Sequence, residues 1–193
     1  MECSIFIAPS VDGYIATEDG GVHWLETVGK SVSEIDERSE LMQHFNNSFP
    51  NYMHNIDCMI IGGKLMEVLS GFDLAPEQWP YGDTRIFALS NTIKEAPENL
   101  KEHVEIYSGS IPSLIAKLEN EGYKHAYVDG GTTITSFLNL ELIKEMTLTL
   151  APVLLGSGIP LFGKLSKQIK LEDAQSTVFP NNFVELKYSV KYL

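Results

Sequence analysis

The sequence is short of several residue types at once. It has two cysteines, Cys3 and Cys58, in 193 residues. Neither a disulfide framework nor a cysteine-based zinc site is expected from them. Both sit in apolar runs, which predicts two buried free thiols in neighbouring strands. Five histidines are scattered along the chain, so no metal site is expected. Arginine is as scarce, with only Arg38 and Arg85. The formal net charge is −12 and the pI about 4.8. The chain therefore lacks the basic surface that nucleic acids and anionic membranes require, and neither partner is expected. No apolar stretch is long enough to cross a bilayer. The opening "MECSIFIAPS" has no basic n-region of a secretory signal, so the expected location is cytoplasmic.

What is present fits a globular protein, with 44% hydrophobic and 21% charged residues. The length and the absence of a linker, repeat or low-complexity tract predict a single domain over 1–193. "CSIFIA" (3–8) and "DCMIIGG" (57–63) are apolar runs of strand length. "VSEIDERSELMQHFNNSF" (32–49) places Ile35, Met42, Phe45 and Phe49 on one helical face, and Pro50 is expected to end that helix. "KLMEVLSG" reads as a short helix closed by Gly71. "TRIFALS" (84–90) and "VEIYSG" (104–109) read as strands. "SIPSLIAKLENEG" is a helix capped by Ser110 at its start and Gly122 at its end. "HAYVDGG" and "EMTLTLAPVLLG" are further strands, with the helix "TTITSFLNLEL" between them. The closing "FVELKYSVKYL" has a period of two: Val184, Leu186, Tyr188, Val190 and Tyr192 face one way, Glu185, Lys187 and Lys191 the other. That alternation predicts an antiparallel strand with one solvated face. Strands alternate with helices and then close the chain alone. The expected fold class is α/β, a mostly parallel sheet with helices on both faces and an antiparallel C-terminal edge.

Three strand ends carry glycine or small polar residues: "IIGGK" (60–64), "LSNT" (89–92) and "VDGGTT" (128–133). Ligands of open parallel sheets bind at the carboxyl ends of strands. Two of these ends open helices, whose free N–H groups and dipole suit phosphate oxygens. Two such turns on one edge suggest a ligand with spaced phosphates, such as a dinucleotide. There is no G-x-G-x-x-G fingerprint and no Walker lysine motif. In "GSGIPLFG", Leu161 stands where the third glycine would be.

The segments "APSVDGYIA" (8–16), "DCMIIGGKLMEVL" (57–69), "FALSNT" (87–92), "VDGGTTITSFL" (128–138) and "LAPVLLGSGIPLF" (150–162) together resemble the dihydrofolate reductase superfamily. The resemblance is greatest to the reductase domain of bifunctional riboflavin-biosynthesis enzymes (RibD C-terminal-like) and its stand-alone bacterial relatives. It implies a three-layer αβα fold, NADPH as reductant, a small-molecule substrate and a homodimer. By the same resemblance Ala8, Ile15 and Ala16 line the nicotinamide and its covering loop. Gly62, Gly63 and Lys64 hold phosphate, and Ser90 and Asn91 sit by the adenosine ribose and its 2′-phosphate. Gly130, Gly131, Thr132 and Thr133 hold the pyrophosphate and nicotinamide ribose, the paired glycines letting backbone meet cofactor. Relatives commonly have Gly-Arg-Lys-Thr after the second strand, where this chain has Gly62, Gly63, Lys64 and Leu65. The arginine that would meet a 2′-phosphate is thus missing. Relatives often show Val-Asp-Glu where Ile143, Lys144 and Glu145 stand, a difference expected to be structural.

Hydride transfer asks the protein mainly to position two partners and supply one proton. Asp12, in a turn-like "VDG", and Trp24, after "GGVH", are the candidate catalytic residues. Each has an equally simple structural reading, as a turn and as a core-edge tryptophan. Glu34, Glu37 and Glu40 are weaker candidates on a helix face expected to be solvated, and the sequence names no proton donor. Three functions follow: an NADPH-dependent reductase of a heterocyclic or pyrimidine-like substrate, with 5-amino-6-(5-phosphoribosylamino)uracil among those implied; a reductase of the same fold acting on another small substrate; or a nucleotide-binding protein without catalysis.

Overall fold

The computed structural model describes residues 1–28, 40–72, 74–75 and 78–193. Among the described residues, ten strands and five α-helices run β1 (Glu2–Ile7), β2 (Tyr14–Ala16), α1 (Trp24–Thr27), α2 (Glu40–Met53), β3 (Cys58–Gly62), α3 (Gly63–Gly71), β4 (Arg85–Leu89), β5 (Val104–Tyr107), α4 (Ile111–Asn120), β6 (His125–Val128), α5 (Gly131–Asn139), β7 (Ile143–Leu150), β8 (Ile159–Pro160), β9 (Ile169–Val178) and β10 (Val184–Tyr192). Eight strands form one sheet in the order β5-β4-β3-β6-β1-β7-β10-β9. The first six in that order are parallel. β10 pairs antiparallel with β7, and β9 antiparallel with β10. A two-stranded antiparallel pair, β2 with β8, stands apart.

β3 shows why the central strands read as unbroken apolar runs: both of its faces are covered. Cys58 and Ile60 pack toward α4 and α5 with Leu114, Leu118, Ile134 and Phe137. Met59 and Ile61 pack the other way, with Met66 and Leu69 of α3 and Phe49, Tyr52 and Met53 of α2. These are the two helical layers of an αβα sandwich. Each fully buried large side chain contributes roughly 1.5–3 kcal/mol, so the two clusters outweigh any surface ion pair. Ser110 caps α4 as expected, accepting the Ser113 N–H, and Gly122 follows that helix with φ +94°.

Five sequence expectations change. The helix expected over 32–49 is described from Glu40, with Ile35 outside the described residues, and it passes through Pro50 to Met53. Proline removes one hydrogen bond there, but the next turn is held from outside. Tyr52 shares a 2.7 Å hydrogen bond with Ser4 Oγ and lies 5.0 Å from the Phe6 ring. Gly71 is the last helical residue of α3 rather than its cap, which is Phe72 in αR conformation. Cys3 and Cys58 are not in neighbouring strands. Both are registered on Ala126, from opposite sides of β6, and burial pushes each thiol up to about 12. β9 went unread because, as a mostly exposed edge strand, it shows no two-residue apolar alternation. Finally, Glu185 does not face solvent but is 2% exposed. It accepts hydrogen bonds from Ser48 Oγ on α2 and Lys187 Nζ at 3.1 Å, with His44 Nε2 at 3.6 Å. α2 covers that half of β10, which a strand's own periodicity cannot reveal.

Burial alone would raise the Glu185 carboxyl, but Ser48, Lys187 and His44 together hold it below the usual glutamate range. A carboxylate depressed in the folded state contributes stability above its unfolded pKa and loses it as pH falls. Glu185→Gln should therefore lower Tm at pH 7 by on the order of 5 °C, from a charge-assisted bond of about 1.5–3 kcal/mol. The deficit should shrink as pH drops through the carboxylate range. Thermal melts of both proteins at pH 7 and pH 3 check this; an equal gap at both would reject the ionic role.

Candidate active site

β1 leads away to β3, and β6 later enters the gap between them. The turn after β6 therefore lands at the centre of the carboxyl edge, between the ends of β1 and β3. A cavity of about 450 Å³ opens there. Its floor is Phe6 and Ile7 of β1, Ala8 just beyond it, Tyr127 and Asp129, and its sides are the N-terminal turns of α3 and α5. Neither helix has a side-chain cap; Gly62 and Gly130 hold the cap positions. Their first-turn N–H groups lack intrahelical partners and carry the positive end of the dipole. The two turns abut, since a Cβ on Gly62 would stand 2.9 Å from Thr133 Oγ1.

Ala8, Ile15, Ala16, Gly62, Lys64, Gly130, Gly131, Thr132 and Thr133 all line the cavity. Gly63, Ser90 and Asn91 lie beside it. The Cβ position of Gly63 is 3.3 Å from Ser90 Cβ, and Ser90 Oγ accepts the N–H groups of Ile93 and Thr92 at 3.0 and 3.3 Å. Asn91 is exposed, its carbonyl accepting Lys94 Nζ at 2.9 Å. These groups gather at the end of β4, next to the start of α3.

The two catalytic candidates are placed elsewhere. Asp12 is exposed and accepts Ser10 Oγ at 2.6 Å and the N–H groups of Leu155 and Gly156 at 3.1 and 2.7 Å. Ser10 foremost, with the two N–H groups, holds its carboxyl below the usual range. It is a clasp between the loop after β1 and the loop before β8. Trp24 is buried with Ala151, Phe179 and Phe183, while its neighbour Leu25 reaches the cavity. Glu40 is exposed at the start of α2, and Glu34 and Glu37 lie outside the described residues.

The carboxyl that does line the cavity is Asp129. Its Oδ1 accepts the Gly130 N–H at 2.6 Å, and its own N–H is donated to Ile60 O at 3.1 Å. What exposure it has is toward the cavity, among Phe6, Phe49, Tyr81 and Tyr127. Burial pushes its carboxyl above the usual aspartate range, outweighing the Gly130 N–H bond and the nearby Tyr127 hydroxyl. Burial, and then the nearby Asp129 charge, raise the Tyr81 and Tyr127 phenols. Tyr127 donates its hydroxyl to Phe6 O at 2.9 Å. Such a carboxyl holds a proton at pH values where an exposed aspartate has lost it. One signal for it existed in the sequence: a lone acid ending an apolar strand directly before the glycine pair. Tyr81 and Phe49, from a loop and from another helix, had none.

The glycine pair also has a local explanation. Gly130 has φ +91°, a conformation that suits glycine. A Cβ on Gly131 would stand 2.4 Å from Pro160 O and 3.1 Å from Leu161 O. The chain's own backbone, at β8, requires that glycine.

The sheet order and layering are those of the dihydrofolate-reductase-like fold. Dihydrofolate reductase from Enterococcus faecalis, solved with NADP(H), superposes at TM-score 0.59 with 12% identity, over 99% of this chain and 97% of that one. A protein from Shewanella sp. PV-4, whose name assigns it to riboflavin biosynthesis, superposes at TM-score 0.83 with 33% identity over the whole of both chains. The uncharacterized protein YwjB of Bacillus subtilis (strain 168) is 28% identical over 169 residues, 86% of either chain. The family model for the RibD C-terminal domain matches residues 77–184, and the chain belongs to that family. Among the described residues no group of three or more histidines, cysteines and acids could hold a metal ion, and no helix is long and apolar enough to cross a membrane.

Gly131→Ala should lower Tm by several degrees, because residues 160–161 must shift and overpacking costs about 1–3 kcal/mol. The loss should appear in a melt without any ligand. An unchanged Tm would mean that β8 yields freely.

Proposed function

We propose that this protein is an NADPH-dependent oxidoreductase that reduces a flat heterocycle. One observation carries the reading: two uncapped helix N-termini and a carboxyl that burial pushes above the usual aspartate range meet in one cavity. The residues present fit a dinucleotide. The N–H groups at the starts of α3 and α5, Lys64, Thr132 and Thr133 would hold its phosphates. Lys64, Ser90, Asn91 and Lys94 would meet its 2′-phosphate. When bound, the reduced nicotinamide supplies a hydride. Asp129 supplies the proton that a reduced C=N or C=C bond also needs, and recovers it from solvent. Phe6, Phe49, Tyr81 and Tyr127 exclude water and offer rings for a heterocycle to pack against. The clasp at Asp12 keeps the loop that leads to Ile159 over the cavity mouth. The name of the Shewanella relative directs the substrate search to the heterocycles of riboflavin biosynthesis.

With a heterocycle that supports NADPH oxidation, Asp129→Asn should cut turnover by on the order of 10²-fold or more, with NADPH affinity within about twofold of the parent. The parent's rate should fall as pH rises through the raised carboxyl pKa, and that limb should vanish in the variant. Near-parental turnover with an unaltered pH profile would remove Asp129 from the mechanism.

Cofactor choice gives a second test. Gly63 has no positive φ, and its Cβ position meets Ile93 Cδ1 at 3.1 Å, the end of a flexible side chain. Gly63→Arg should therefore be accommodated and add a planar cation for the 2′-phosphate. The NADPH-over-NADH preference should rise by about one to two decades, as for one charge-assisted bond. Titration of both cofactors decides it, and equal affinities in the parent would show that Lys64, Ser90 and Asn91 do not read that phosphate.

A further inference from the structure

We infer that the apolar face shared by β7, β10 and β9 docks a second copy of this chain, sheet against sheet. Register puts its residues side by side across the three strands. Val178 of β9 lies opposite Val184 of β10, and Leu171 opposite Val190. Between them on β10, Leu186 and Tyr188 lie opposite Leu148 and Met146 of β7. Burial falls off across the strands. Met146 and Leu148 are 3% and 9% exposed, packed with the residues of α4 and α5. Leu186, Tyr188 and Val190 are half-buried. Leu171 and Val178 are 40% and 65% exposed. The helical layer thus ends before the sheet does, and leaves the last two strands with a partly covered apolar side.

The other side of the same strands is charged and paired. Lys187 meets Glu185 at 3.1 Å, and Glu172 takes Lys170 at 2.6 Å and Lys191 at 3.4 Å. The free edge of β9 is guarded as well. It carries Lys170, Glu172 and Asp173, and its register shifts there, with Asp173 at φ +54°. Charges and a bulge on an edge strand oppose the addition of another strand. A partner is therefore received on the face and not on the edge. An uncharged strip suits a second copy, because two chains of net charge −12 repel least where neither presents a charge. The rim of the strip holds both signs, Lys144 lying 6.0 Å over the Tyr192 ring and Asp173 at the shifted register. A two-fold axis can set one against the other. Nine residues of β10 by three strands give a footprint of roughly 30 by 14 Å, about 400 Å². Leu140 and Leu193, 44% and 69% exposed, extend it at the amino end, where Lys167 joins Glu141 at 2.7 Å and the Leu193 carbonyl at 2.9 Å. That is short of the roughly 800 Å² per partner of a standard interface, so the dimer should form with a Kd on the order of 10 µM.

Sedimentation equilibrium across a dilution series tests this. At about 100 µM the parent should sediment as two chains of 21.5 kDa, dissociating on dilution through the Kd. Leu171→Glu combined with Val178→Glu buries four like charges in the interface and should weaken association by about 100-fold or more. Both positions are exposed in the single chain, so the variant should melt like the parent; if it melts early, Val178→Glu alone is read in its place. Leu41→Glu, equally exposed but on α2 across the sheet, should leave the dimer intact. A parent that stays a single chain at the highest concentration overturns the inference. So does a dimer that the charged face variants do not weaken, or one that Leu41→Glu weakens as much.

Discussion

The site depends on β6 lying between β1 and β3. Ala126 is hydrogen-bonded in register with Cys3 on one side and Cys58 on the other. All three are essentially inaccessible, so the ladder is shielded from water. With that register set, the residues after Val128 must emerge between the two strand ends. Asp129, Gly130 and the start of α5 then face the start of α3 across a single cleft. A one-residue slip of β6 would turn Tyr127 to the opposite face and empty the cavity floor.

The loops at the cleft are fixed by contacts within the chain. Asp12 accepts two N–H groups before β8, and β8 presses its carbonyls against Gly131. Thr135 Oγ1 donates to Gly131 O and accepts the Gly163 N–H. The covering loop, β8 and the first turn of α5 thus form one interlocked unit. Such a unit pre-positions backbone donors, which is the main service a hydride-transfer enzyme asks of its fold.

Much of this was legible in the sequence, and what was not has a common cause. Apolar runs such as Cys58–Ile61, and the Ser110 cap of α4, report local chemistry, and the structure follows them. The two glycine-bearing turns and the Ser-Asn turn after β4 do meet at the carboxyl edge, because parallel strands put like ends together. The failures are residues whose role is set by a distant element. Glu185 reads as solvent-facing until α2 covers it. Pro50 reads as a stop until Ser4 and Phe6 hold the turn beyond it. Trp24 reads as either a catalytic candidate or a core-edge tryptophan until Phe179 and Phe183 enclose it. Asp129 is the intermediate case: its position was visible, but its raised carboxyl pKa depends on rings from β1, α2 and the loop before β4.

The same enclosure that makes β6 a fixed partition makes the two thiols chemically silent. With pKa values near 12, roughly one in 10⁵ of either sulfur is thiolate at neutral pH, and neither is accessible. Alkylating reagents should pass over the folded chain. A cysteine introduced at an exposed cavity-rim position such as Phe72 would then be the one reactive sulfur among the described residues. It would be a clean attachment point for a fluorophore reporting on what enters the cleft.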